Sequence, residues 1–195
     1  SRTLMPMAVS LLDNCGTALD AVELIAVAAG PGSFTGLRIG VAAAKGLAWP
    51  GNKPCAACST LESMAWPLAF YQDAVIVCAM DARRSQVYNA LFAIKDGKPE
   101  RLVPDRAVSL EELCADLARR PETPFLTGDG AALVHEYLGD RAMKSVLAAG
   151  PALHQNAWGV CMAALDKPAE DAGALLPVYL RLSQAERERQ ARMSR

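Results

Sequence analysis

The sequence predicts an α/β protein folded as two lobes. An apolar run, Leu24 to Ala29, leaves through the glycine-rich loop "GPGSFTGLRIG" into a helix, and the same order of strand, glycine turn and helix returns in "PFLTGDGAALV". Between them, "AVIVCAMDARRSQVYNALFAI" holds two β-rich runs that flank Asp81-Ala82-Arg83-Arg84, the pattern of a hairpin. Units that mix hairpins with strand-loop-helix segments fit two α/β lobes better than one doubly wound sheet. The 195 residues are 52% apolar, ample for such cores.

In chain order, Leu4, Met7, Ala8, Leu11 and Leu12 share one face of a first helix that Gly16 stops. The strand Leu24 to Ala29 leads through its loop to a helix from Leu37 to Trp49, closed by Pro50-Gly51. A short strand over Cys55 to Cys58 precedes a third helix, capped by Ser59 or Thr60. In the second half the hairpin is followed by a turn at Asp96-Gly97 and a helix with Leu110, Leu113, Cys114 and Leu117 on one face. The "PFLTGDGAALV" unit and a helix from Asn156 to Leu165 come next. The charged tail "SQAERERQARMSR" reads as a solvated helix or frayed end. Residues 1–65 form the first lobe and 66–170 the second, with 171–195 expected to return to the first.

Composition excludes several classes. With 20 Lys+Arg against 21 Asp+Glu there is no basic excess for wrapping nucleic acid, so any RNA contact is local or indirect. Glycine, proline or charge breaks every apolar run before it reaches membrane-spanning length. No secretion signal is visible, and the six cysteines sit mostly in apolar runs, which reads as free thiols in a reducing cytoplasm. Cys55-Ala-Ala-Cys58 lacks a second such pair and lies in a strand, so packing is favoured over redox or metal chemistry. His135 and His154 are too far apart in sequence to suggest a shared ion.

Unpaired amides at a helix start make the first glycine loop an anion site in principle. Its spacing matches neither the dinucleotide fingerprint nor a phosphate loop, because no Gly-Lys-Ser/Thr follows, and Ser33 is in no nucleophile elbow. Gly36, Gly40, Ala44 and Ala48 recur every four residues, a smooth stripe that either docks a partner helix or packs on the protein's own sheet. Leu37 and Val41 lie alongside it.

"GPGSFTGLRIGVAAAKGLA" resembles the signature of the TsaB (YeaZ) family, and the likeness extends to "STLESMA", "DARRSQVY" and "PVYLR", nearly the whole chain. The resemblance implies the two-lobed actin-like ATPase (ASKHA, ribonuclease H-like) fold and a role in making N6-threonylcarbamoyladenosine next to the anticodon of tRNA. It also implies a catalytic paralogue, TsaD, as partner, the ATPase TsaE as a further subunit, and tRNA contact through the complex. TsaD carries H-L-E-G-H, whose histidines bind its metal; here the same place reads Thr60-Leu61-Glu62-Ser63-Met64. A hydroxyl and a thioether are poor ligands for a hard divalent ion, so no catalytic or metal residue is expected. Family members open with a strand and an Asp-Thr-Ser/Thr turn, which this sequence does not contain, so roughly 30 to 40 residues of further strands and turns are expected ahead of Ser1.

Three functions compete. A non-catalytic scaffold would pair with TsaD through Leu4, Met7, Ala8, Leu11, Leu37, Gly40, Val41 and Ala44, and the same face would allow a homodimer when the partner is missing. A glycoprotease-like metallopeptidase would need ligands that positions 60 and 64 lack. A module binding ATP or ADP without turnover would use Gly30, Gly32, Ser33, Thr35 and Gly36 from one lobe and Gly128, Asp129 and Gly130 from the other; tight-turn geometry explains those glycines as well. Asp81, Arg83 and Arg84 form the best polar surface cluster, which hairpin-turn chemistry also accounts for.

Overall fold

The computed structural model describes residues 2–181. The charged tail from residue 182 lies outside the described residues. Helix α1 (Leu4–Asn14) ends at Gly16, whose φ of 60° suits a helix stop. The parallel pair β1 (Ile25–Gly30) and β2 (Cys55–Ser59) is joined by α2 (Phe34–Ala48). Helix α2 begins three residues before Leu37 because the Ser33 hydroxyl accepts from the Gly36 amide at 3.4 Å and so caps it.

A five-stranded sheet follows, in the order β5-β4-β3-β6-β7. Strands β3 (Val75–Asp81), β4 (Gln86–Lys95) and β5 (Lys98–Ser109) form an antiparallel meander, and β6 (Phe125–Thr127) and β7 (Val146–Leu147) run parallel to β3. The positive φ of Asp96 and Gly97 makes the tight turn between β4 and β5. Strand β5 is longer than any other, yet nothing in its sequence announces it. It lies at the sheet edge, where Pro99 and Pro104 are tolerated and no alternation of apolar residues is required.

Helices α4 (Leu110–Leu117) and α5 (Ala131–Gly139) cover one face of this sheet, packing Leu113, Leu117, Val134 and Leu138 on Val77, Leu91 and Leu126. On the other face, α3 (Thr60–Ala65) packs Leu61 and Met64 against Ile76, Cys78 and Phe92. Helix α6 (Ala157–Leu165), capped by Asn156, crosses α3 so closely that a β-carbon on Gly159 would overlap the Ser63 carbonyl. The segment after α6 returns to the first sheet: Glu170 exchanges backbone hydrogen bonds with Cys55 at 2.9 and 2.7 Å, and Ala172 and Leu175 are buried beside Ile25 and Val41.

The small-residue stripe of α2 requires a correction. Positions four apart advance about 40° around a helix, so the line from Gly36 to Ala48 winds from solvent into the core. The face α2 buries is Leu37, Val41, Ala44 and Ala48, spaced to stay in line, and it packs on β1. Leu37, Val41 and Ala44 therefore belong to the protein's own core, not to a free surface; Gly40 stays partly open, with nothing within 4 Å of where its β-carbon would be.

Two helical glycines thus make a controlled comparison. Gly159→Ala is expected to destabilise the protein by about 1–3 kcal/mol through overpacking, whereas Gly40→Ala is expected to stabilise it by about 0.5–1 kcal/mol through helix propensity. Urea unfolding of the two variants checks both signs.

Candidate functional site

The two sheets meet at a cleft of about 770 Å³. One wall is the α2 approach, with Gly32, Ser33, Phe34 and Gly36; the opposite wall is Met80, Asp81, Ala82, Arg83 and Asp129; Thr60 and Gln155 also line it. This is the carboxyl end of the parallel pair β1–β2 and of β3, where open α/β sheets place their crevices.

The structure brings together parts of three sequence clusters. From the first glycine loop, Gly32, Ser33 and Gly36 line the cleft; Gly30 and Thr35 do not. Gly30, at φ 145°, lies against the Val178 carbonyl, whose own amide donates to Ala29 at 2.7 Å, so this glycine is needed for a chain crossing. From the second loop only Asp129 reaches the cleft. Gly128 has φ 104° and no room for a β-carbon beside the Ala79 carbonyl, and a β-carbon on Gly130 would lie 2.8 Å from the Asp81 nitrogen. Their amides are already bonded, Gly130 to Ala79 and Gly128 to Leu153. The glycines at 128 and 130 thus allow close crossing of β3 and offer no free amide to a phosphate.

The hairpin turn contributes Asp81 and Arg83. The Asp81 carboxylate accepts from the Arg83 amide at 2.7 Å and pairs with its guanidinium at 3.2 Å, while Asp129 accepts from the Asp81 amide. Arg83, Arg84 and Ser85 all have φ between 55° and 65°, a left-handed run unusual for residues with side chains. Arg84 is exposed and does not line the cleft. Sequence reasoning missed the third wall, where Val178, Tyr179 and Arg181 close the cleft. Tyr179 stacks on Phe34 with ring centres 4.6 Å apart and accepts from Arg38, a contact across 141 positions that no local pattern signals.

The stretch Thr60-Leu61-Glu62-Ser63-Met64 is also placed. Met64 is buried in the core, and Glu62 is bound in ion pairs with Arg101 and Lys167, both at 3.0 Å. Arg101 also pairs with Asp105, which accepts from the Ser59 hydroxyl. This charged clamp ties the start of α3 to β5 and to the end of α6. Thr60 is only 3% exposed, and its hydroxyl has no hydrogen-bond partner among the described residues, a condition that costs about 1–3 kcal/mol. His135 bonds Ser145 at 2.7 Å and His154 is exposed; neither lines the cleft.

Away from the cleft, α1 buries none of its residues. Ala8 and Leu12 are half-buried, while Met7, Leu11 and Val9 are 67%, 64% and 52% exposed, with Leu4 and Met5 beside them. The apolar face read from the sequence therefore divides, with Leu4, Met7 and Leu11 in solvent.

Comparison with known proteins accords with this architecture. The family model of TsaD, tRNA N6-adenosine threonylcarbamoyltransferase, matches residues 1–146. The tRNA threonylcarbamoyladenosine biosynthesis protein TsaB of Bacillus subtilis (strain 168) is 38% identical over 184 residues, covering 93% of this chain and 80% of the relative. YeaZ from Pseudomonas aeruginosa superposes with a TM-score of 0.73 at 28% identity, over 92% of this chain and 84% of its own. A structure described as an uncharacterized protein with similarity to peptidase YeaZ from Pseudomonas aeruginosa gives 0.76 at 29% identity, over 93% and 84%. The chain belongs to the TsaB (YeaZ) family and has its two-lobed, actin-like α/β fold. Among the described residues no helix is long and apolar enough to cross a membrane.

The cysteines are all free thiols, with Cys55, Cys58 and Cys78 buried. Burial, and then the Glu62 carboxylate, push the Cys58 thiol up to about 11. Buried Cys58 is therefore expected to alkylate far more slowly at pH 8 than the exposed Cys161, because only an accessible thiolate reacts. Mass-resolved iodoacetamide labelling measures the ratio, and comparable rates would contradict the burial of Cys58.

Proposed function

We propose that this protein is a non-catalytic subunit of the machinery that makes N6-threonylcarbamoyladenosine in tRNA, and that it works by docking on the catalytic subunit, TsaD. The observation that carries the reading is α1, an eleven-residue helix whose apolar face is exposed and has no partner among the described residues, on a protein whose relative is named for this biosynthesis. An exposed row of Leu4, Met7 and Leu11 at helical spacing is the kind of anchor that a partner helix buries. On α2, Ile39 is exposed and Gly40 half-buried, so these two would be the α2 residues open to a partner, in place of Leu37, Val41 and Ala44. Non-catalytic standing is supported by Thr60 and Met64, which occupy the places of the paralogue's metal ligands, and by the ion pairs that hold Glu62. TsaE would join through the complex, and tRNA would be met there; without its partner, the same face would favour a homodimer. Such machinery would operate in the cytoplasm, as the free thiols also suggest.

Met7→Glu with Leu11→Glu tests the docking surface. The pair is expected to weaken binding to TsaD by at least about 2 kcal/mol, roughly thirtyfold in Kd. Because α1 buries none of its residues, the melting temperature is expected to hold. Gel filtration and calorimetry with purified TsaD check both; undiminished binding would overturn the assignment of the surface.

A second reading concerns the cleft: ATP or ADP held without turnover. It is favoured by the convergence of Gly32, Ser33 and Gly36 with Asp129 on one cavity. Titration calorimetry with each nucleotide is expected to give saturable heat and no release of phosphate; no heat from either would remove this reading.

A further inference from the structure

We infer that the segment from Leu176 to Arg181 is a strap that couples the Arg38 turn of α2 to the β3–β4 turn of the second lobe. It contains the "PVYLR" motif, which neither the docking face nor the glycine loops account for. The strap has no helix or strand and none of its residues is buried, so hydrogen bonds and one ring stack hold it in place of a core. Segments of that kind open locally at small cost, which is what a conformational device needs.

Its anchors fall on both lobes. In the first lobe, the Val178 amide donates to the Ala29 carbonyl at 2.7 Å, and the Val178 carbonyl fills the space that a β-carbon on Gly30 would take. The next residue, Tyr179, stacks on Phe34, and its hydroxyl accepts from Arg38 Nε at 3.0 Å. In the second lobe, the Arg181 guanidinium donates to the Ala82 carbonyl at 2.7 Å. From Tyr179 to Arg181 the chain spans at most about 7 Å, so the strap carries little backbone slack between the lobes.

Each end meets an element that can respond. Arg38 is exposed, lies over the Phe34 ring at 4.1 Å, and directly precedes Ile39 and Gly40, the α2 residues open to a partner. A group seated there confines Arg38 and, through it, the Tyr179 hydroxyl. At the other end, Arg83, Arg84 and Ser85 all have left-handed φ, a costly run that persists only where its surroundings fix it. The Arg181 bond is one such restraint; the Asp81 carboxylate accepting from the Arg83 amide and the Ser85 carbonyl accepting from the Leu110 amide are others. Freeing the strap from Arg38 therefore removes a restraint on the turn, and loosening the turn removes one on α2, as reciprocal coupling requires. The coupling belongs to the protein alone; its use by TsaD rests on the docking reading above.

Amide hydrogen exchange read by mass spectrometry tests the coupling. Tyr179→Phe deletes only the hydroxyl, and Arg181→Met removes the bond to Ala82 while keeping an aliphatic stem. Each is expected to speed exchange roughly three- to tenfold at both Val178 and the Ala82–Gln86 turn, while the amides of α5 hold. Acceleration confined to one end, or absent, in either variant would overturn the inference. Added TsaD is expected to slow exchange at the turn as well as at α2 in the unsubstituted protein, and at α2 alone in Tyr179→Phe. Protection of α2 with an unchanged turn in the unsubstituted protein would refute use of the strap by the partner. Failure of TsaD to bind would instead overturn the docking reading, and the two variants would still decide the strap.

Discussion

The architecture depends on close backbone crossings around α3 and the strand ends, where no β-carbon fits. Gly159 lets α6 lie on the Ser63 carbonyl, Gly128 and Gly130 let the turn after β6 pass the end of β3, and Gly30 lets the returning segment reach β1 through Val178. A methyl group at any of these points would push apart elements that supply the cleft walls. Dense packing makes this a discrete constraint, because interiors of native density cannot absorb an extra carbon without moving backbone. The same constraint shapes the candidate site: crossings take up the glycines of the second loop and leave the α2 start as the wall with free amides.

The two-lobed α/β class was legible because its units are local, whereas the actin-like assignment came from the family resemblance. A buried run, a glycine turn and a helix lie within about twenty residues in both lobes, and the hairpin strands β3 and β4 carry β-branched runs around a polar turn. Edge strand β5 was not legible, since its residues satisfy the sheet with prolines and charges on one open side. The stripe on α2 was visible, but which side of it meets the core was not: repeats of four drift around a helix, and Leu37, Val41, Ala44 and Ala48 stay in line on the buried face. The candidate site was half legible. Gly32, Ser33, Gly36, Asp81, Arg83 and Asp129 were singled out and do converge, whereas Thr60 mattered as a buried donor and not only as a lost ligand, and the wall of Tyr179 and Arg181 is created by chain return.

The stretch from Thr60 to Met64 is held by capping, packing and charge pairing together. Ser59 caps α3 by accepting from the Glu62 amide at 3.1 Å, Leu61 and Met64 fill the core, and Glu62 joins a clamp with Arg101 and Lys167. Each position is explained by packing or charge pairing except Thr60, a residue of the cleft lining whose buried hydroxyl has no partner among the described residues. Helix α1 differs in character from the cleft: its exposed face is apolar, whereas the cleft mixes polar and apolar groups.

The proposal that this protein supports catalysis without performing it is tested most directly by reconstitution. TsaD and TsaE are combined with tRNA, threonine, bicarbonate, ATP and the enzyme that makes the threonylcarbamoyl adenylate, with and without this protein, and threonylcarbamoyladenosine is quantified by mass spectrometry of the digested tRNA. The account predicts sustained modification only in the complete mixture and none when this protein replaces TsaD. Equal modification in its absence, or modification by this protein without TsaD, would contradict it.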